Sequence, residues 1–174
     1  MKLLIASDIH GSAYWCRRLF ERIQAESPDR IVLLGDLLYH GPRNDLPRDY
    51  APKEVIPLLN GVADRVVAVR GNCDAEVDQM VLDFPCMADY AVIMDGGRQL
   101  FLTHGHVFSP ENMPALPDGS AFLSGHTHVK CNKDVVMSDG RTITVVNPGS
   151  VSIPKDGSNS YAVYQDGAFF LKEL

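Results

Sequence analysis

At 174 residues, 45% of them hydrophobic, the chain is the size of one compact domain that can bury roughly 70% of its unfolded surface without cross-links. Its formal charge of −6 excludes the broad basic face that bulk nucleic-acid binding needs, and no apolar run approaches the ~20 residues of a membrane-spanning helix. Cys16, Cys73, Cys86 and Cys131 are scattered with no CxxC pair, and residues 3–6 are too short an apolar stretch for a secretory leader, so reduced thiols, a cytoplasmic location and no membrane partner are expected.

In chain order, residues 2–6 read as a short buried strand that ends in Ser7-Asp8-Ile9-His10-Gly11. Trp15, Leu19, Phe20 and Ile23 have helical spacing, Ser12 suits an N-cap and Pro28 closes the segment, which predicts a helix over residues 12–25. Residues 30–34 are an aliphatic run typical of a strand buried on both faces, and it ends in Gly35-Asp36. The Gly- and Pro-containing residues 39–52 predict an irregular loop, and long loops in compact domains are often functional. A helix over 53–63, with Pro57 inside it, precedes a third strand at 65–69 that ends in Arg70-Gly71-Asn72-Cys73-Asp74. This alternation predicts an α/β sheet with parallel strands in the first half.

From about residue 86 the signals change. Short strands are expected at 87–94, 99–103, 121–124, 134–137, 142–146, 161–165 and 168–172, with Gly-containing turns at 95–97, 138–140 and 166–167. They predict a largely antiparallel second half, in which the second strand leads into His104-Gly105-His106 and the third into Gly125-His126-Thr127-His128. No repeat or linker marks a boundary, so residues 1–174 are expected to form a single domain.

Five strand ends thus carry Asp8/His10, Asp36, Asn72/Asp74, His104/His106 and His126/His128, which includes five of the six histidines. In an extended segment residues i and i+2 face the same way, so Asp8 and His10 can converge on one point while Gly11 lets the chain turn away. Ligand sites of open α/β sheets lie beyond the carboxyl ends of strands. One Asp-x-His or Gly-Asp alone is more often a turn, whereas the ordered series points to a metal site. Carboxylate, amide and imidazole donors without a thiolate suit Mn²⁺, Fe²⁺ or Zn²⁺ better than Cu(I) or an iron–sulfur cluster.

The series Asp8-x-His10, Gly35-Asp36, Gly71-Asn72-x-Asp74, His104 and Gly125-His126-x-His128 resembles the calcineurin-like metallophosphoesterase superfamily over most of the chain. His40-Gly41-Pro42-Arg43-Asn44, the 70–74 stretch and residues 147–155 resemble its small YfcE-type phosphodiesterases. The resemblance implies an α/β fold, a four-layer αββα sandwich of two mixed β-sheets flanked by helices, with two divalent metal ions. Mn²⁺ is the favoured ion, with Zn²⁺ or Fe²⁺ as alternatives. Asp8, His10 and His128 would hold one ion, Asn72, His104 and His126 the other, and Asp36 would bridge them. A hydroxide between the ions would attack a small phosphodiester, which makes Asp36, Asn72 and His104 the expected catalytic residues.

Cys73 departs from the family pattern, because many members carry at this place a histidine that protonates the leaving group. A thiol of ordinary pKa near 8.5 is a poorer acid at neutral pH. Cys73 therefore either donates that proton weakly or fills the histidine's space, and activated esters such as aryl phosphates are the expected substrates. Asp74 suits either a hydrogen bond that orients His104 or another ligand, or a helix N-cap. His40, Arg43, Asn44 and His106 are candidates for substrate contact, against a solvated loop or a structural histidine. Residues 147–150 make either a turn or a wall of the site. The rival readings are a phosphomonoesterase or nucleotidase with the same centre, and a noncatalytic scaffold resembling the superfamily's retromer subunit, which the loss of a site histidine would mark. None is lost in this sequence. The resemblance also allows a homo-oligomer.

Overall fold

In the computed structural model, which describes residues 1–174, the chain starts in strand β1 (Lys2–Ala6). The two-residue period of a strand splits its side chains between two cores: Leu4 and Ala6 face helices, while Leu3 and Ile5 face a second sheet. Helix α1 (Ala13–Glu26) starts where the Ser12 hydroxyl oxygen accepts the Trp15 N–H, and it buries Ala13, Cys16, Leu19 and Ile23 along one stripe. It stops at Ser27, whose left-handed φ of 47° lets its N–H reach the Ile23 carbonyl. Strand β2 (Arg30–Leu33), helix α2 (Pro52–Asn60) and strand β3 (Val66–Ala68) follow. Helix α2 ends short of residue 63, at Gly61, and the chain tightens into a 3₁₀ turn at Ala63–Arg65. A single helical turn α3 (Glu76–Gln79) then precedes strands β4 (Tyr90–Asp95), β5 (Arg98–Thr103), β6 (Ala121–Leu123), β7 (Cys131–Val136), β8 (Thr142–Asn147), β9 (Ser160–Gln165) and β10 (Ala168–Glu173).

The strands form two mixed five-stranded sheets, ordered β10-β9-β1-β2-β3 and β4-β5-β6-β8-β7. Strands β1, β2 and β3 are parallel, as the alternation of elements predicts. Most strand pairs of the second half are antiparallel, as expected, but two are not. The Gly-containing turns do pair β4 with β5, β7 with β8 and β9 with β10. The long segment 104–120 and the β7 excursion, however, bring the chain back to the same starting edge, so β5, β6 and β8 run parallel. The last hairpin leaves that sheet and adds to the first, with β9 antiparallel to β1.

The two sheets stack through Leu3, Ile5, Val32 and Leu34 on one side and Leu100, Leu102, Leu123 and Val146 on the other. Residues of α1 and α2 pack on the opposite face of the first sheet. Over the outer face of the second sheet, Phe101, Phe122 and Ile143 are covered by Leu116, Phe108 and Met113 of the 104–120 segment. The two mixed sheets and flanking helices match the expected sandwich, with few helices, and the fourth layer is this irregular segment. No helix is long and apolar enough to cross a membrane.

Candidate metal centre

Parallel strands in both sheets send their carboxyl ends to one rim, and the turns there adopt a costly backbone. Asp8 (φ 60°), His10 (φ 48°), Asp36 (φ 55°), His126 (φ 66°) and His128 (φ 59°) are all left-handed, a conformation that costs a non-glycine residue about 1–2 kcal/mol. Such turns fold the chain back within a residue or two and aim successive side chains inward. Glycines make the close approach possible: a Cβ on Gly125 would collide with the Ser7 hydroxyl and stand 2.7 Å from Asp8 Oδ2, and one on Gly71 would strike Asp36.

All seven predicted metal-ligating side chains meet at this rim. His128 Nε2 lies 3.2 Å and His10 Nε2 3.6 Å from Asp8 Oδ1, and the two imidazole nitrogens are 3.3 Å apart. On the other side His104 Nε2 lies 3.4 Å from Asp36 Oδ2, 3.1 Å from Asn72 Oδ1 and 3.2 Å from His126 Nδ1. Asp36 joins the halves, since its Oδ2 is also 3.7 Å from His10 Nε2. Three of the imidazoles are held from behind: Nδ1–H of His10 donates to the Tyr39 carbonyl (2.8 Å), that of His104 to Leu34 (2.6 Å) and that of His128 to Ile153 (2.6 Å). This fixes the ring and leaves each Nε2 lone pair pointing into the site when the ring is neutral.

The rim opens into a cleft of about 580 Å³. Asp36, Asn72, Cys73, His126 and His128 form its floor, and residues 41–44, Thr127 and Lys155 its walls. Of the candidate substrate-contact residues, Arg43 and Asn44 line the cleft. His40 does not line the cleft: its ring packs edge-on between Tyr39 (4.7 Å) and Tyr50 (5.1 Å). His106 also stands outside the lining, behind His104 (5.4 Å) and His126 (6.4 Å). Residues 147–150 are scaffold rather than wall. The Asn147 amide donates to the Gly125 carbonyl (2.7 Å), and the Ser150 and Ser152 hydroxyls donate to the Asp8 carbonyl (2.9 and 3.1 Å).

The calcineurin-like phosphoesterase superfamily domain matches residues 1–166. The chain belongs to this superfamily. It is 50% identical over 158 residues to "Phosphodiesterase YfcE" of Escherichia coli (strain K12), a match that spans 91% of this chain and 83% of that protein. The solved structure of Yfce, described as a phosphoesterase from E. coli, superposes with a TM-score of 0.90 at 48% identity, covering 95% of this chain and 89% of that one. Wild-type Vps29 from Entamoeba histolytica, complexed with zinc, shares the fold at a TM-score of 0.61 and 20% identity, over 100% of this chain and 98% of that one. This chain is a metal-dependent phosphoesterase.

The electrostatics of the phosphoesterase site fit a bound cation. Burial alone would raise the Asp8 carboxyl, yet the neighbouring His10 and His128 imidazoles hold it far below the ordinary carboxylate range. Asp36 is likewise lowered against its burial, chiefly by His104. The same couplings overcome burial in the imidazoles: Asp8 raises His10, and Asp36 raises His104 to about 9. His126 and His106 are lowered instead, by burial and then by His104. Two buried carboxylates thus demand positive charge. Asp8 Oδ1 has no hydrogen-bond partner although it is buried, and it faces two imidazole nitrogens that point at each other. The donors are carboxylate, imidazole and carboxamide; Cys73 lies beside His10 and Asp36, but burial and the Asp36 charge push its thiol up to about 12. The residues fit divalent metal ions with hard or borderline preferences.

Asp74 orients another candidate ligand, Asp36, rather than His104, and it is not a helix cap. Its carboxylate accepts three backbone N–H groups, from Asp36 (2.8 Å), Leu37 (2.8 Å) and Gly71 (2.7 Å), so it clamps the turn that carries Asp36 rather than an imidazole. The cap of α3 is Ala75. Thr127 and Lys155 are cleft residues that sequence reasoning did not single out. Each lies within a stretch notable for other residues, and the available signal was proximity in sequence to His126, His128 and the 147–155 motif.

Proposed function

We propose that this phosphoesterase hydrolyses small phosphodiesters at a binuclear centre, with Mn²⁺ as the favoured ion. The observation that carries the reading is the pair of donor groups that share Asp36: Asp8, His10 and His128 on one side, and Asn72, His104 and His126 on the other. These residues would hold the two ions, with Asp36 common to both. When bound, the ions supply Lewis acidity and a water acidic enough to act as a nucleophile near neutral pH.

The chain's own residues then divide the work. Asp8 and Asp36 remain ionised and set the charge of the centre, while the three carbonyl-anchored imidazoles keep their orientation through the reaction. Asn72, exposed at the cleft floor, offers a neutral amide beside His104, which leaves the centre positive enough to attract a phosphate ester although the protein is acidic overall. From the cleft wall Asn44 presents donors to the phosphoryl oxygens, and Arg43 faces the rest of the substrate. Cys73 holds its proton too firmly to serve a poor leaving group well, so esters of acidic alcohols are the preferred substrates.

The test uses chelated protein refilled in turn with Mn²⁺, Zn²⁺ or Mg²⁺ and assayed on bis-p-nitrophenyl phosphate beside p-nitrophenyl phosphate. Metal-restored turnover that favours the diester supports the reading. Preference for the monoester would replace it with a phosphomonoesterase, and no turnover by protein loaded with two ions would replace it with a scaffold.

A further inference from the structure

The cleft is cationic in a protein that is not. The chain has 22 acidic and 16 basic residues, yet Asp36 is the only acid among the cleft-lining residues, and Arg43 and Lys155 both line it. Neither side chain makes an ion pair, unlike Arg17, Arg70, Lys130 and Lys172, which all hold carboxylates.

Both cations are carried on backbone tied to the metal centre. The Lys155 N–H donates to the carbonyl of His128 (3.0 Å), whose ring in turn donates to the carbonyl of Ile153 (2.6 Å). Arg43 sits in a turn in which the Asn44 amide donates to the His40 carbonyl (2.8 Å), and the neighbouring Tyr39 carbonyl accepts the His10 Nδ1–H (2.8 Å). The two loops reach the cleft from different sheets, one after β2 and one between β8 and β9.

A simple diester carries one negative charge, which a pair of divalent ions already offsets against two carboxylates. The two further cations have no internal partner, and the cleft, at about 580 Å³, has the volume of a pocket that takes a whole small ligand rather than a lone phosphoryl group. Only Pro42 and Cys73 among its lining side chains are not polar or charged, which disfavours a bulky apolar substituent. We infer that Arg43 and Lys155 form an anion subsite beside the metal centre, and that the substrate is a small phosphodiester bearing a second phosphate group. The inference rests on the diesterase reading above and narrows its substrate class.

Two probes isolate the subsite. Thymidine 5′-(p-nitrophenyl phosphate) and its 3′-phosphorylated counterpart release the same chromophore and differ by one phosphate. On Mn²⁺-loaded protein at low ionic strength the extra phosphate should lower KM about tenfold, the effect of one charge-assisted contact pair. In the Arg43→Gln/Lys155→Gln protein that advantage in kcat/KM should fall towards one, with metal content unchanged. Turnover of both probes without preference in the wild-type protein would overturn the subsite and leave the diesterase reading intact. Calorimetric binding of thymidine 3′,5′-bisphosphate to the same two proteins reads the subsite without turnover. Affinity about tenfold weaker in the double variant supports it even if neither ester is hydrolysed, an outcome that would instead remove the diesterase reading; equal affinity overturns it.

Discussion

Asp36 has three attachments: its backbone N–H is held by Asp74, its Oδ1 accepts the Cys73 N–H (2.8 Å), and its Oδ2 faces His10 and His104. An Asp36→Asn protein should lose metal and activity together, by about a thousandfold in kcat/KM, and a protein that keeps both would disprove the shared role. Asp74→Asn leaves one acceptor oxygen for three buried N–H groups, so urea unfolding should show a loss of about 1–3 kcal/mol. At position 73 the expectation is a gain. Cys73→His places a group of near-neutral pKa where the thiol is pushed up to about 12, and turnover of an alkyl phosphodiester should rise tenfold or more, while that of an aryl diester changes little. Equal effects on both leaving groups would show that position 73 does not deliver the proton.

Element ends decide what could be read from the sequence. A buried run followed by Asp-x-His or Gly-Asp identifies a strand and the groups at its end, because side-chain alternation and the need to turn are both local. The side chains that meet at the rim from the ends of β1, β2, β3, β5 and β6 are therefore legible. The order of β5, β6 and β8 was not, since the same Gly-rich turns suit hairpins whether or not the following strand returns to the starting edge. Which group Asp74 orients was hidden for a related reason: its partners at Asp36 and Leu37 lie 38 and 37 residues away. Element junctions also carry pH dependence. Glu26, at the end of α1, binds Lys172 of β10 (2.5 Å) and Lys2 of β1 (2.9 Å), which lower it from an ordinary 4.5 to about 2. A lowered carboxyl contributes stability that is complete above its ordinary pKa and is lost as pH falls through the folded one. The wild-type melting temperature should therefore exceed that of Glu26→Gln at pH 7, and the gap should close between about pH 4.5 and 2. A gap that persists at the acid end would mean that packing, not charge, makes the difference.

At the scale of the whole molecule, two stacked sheets and helices on one outer face build a rigid rim on which buried carboxylates collect positive charge. In metal-free protein part of that charge is a proton on His104, raised from an ordinary 6.5 to about 9. If His104 is a ligand as proposed, metal has to displace that proton, so affinity should weaken about tenfold per unit as pH drops below 9, and calorimetry in buffers of different ionisation enthalpy should detect the released proton. Metal binding independent of pH across this range would argue that His104 is not a ligand. The most direct test of the shared-Asp36 centre is a titration of metal-free protein with Mn²⁺ in graded equivalents, with bis-p-nitrophenyl phosphate turnover read at each step. The account predicts that activity stays low through the first equivalent and rises with the second. Full activity at one equivalent per chain would contradict it.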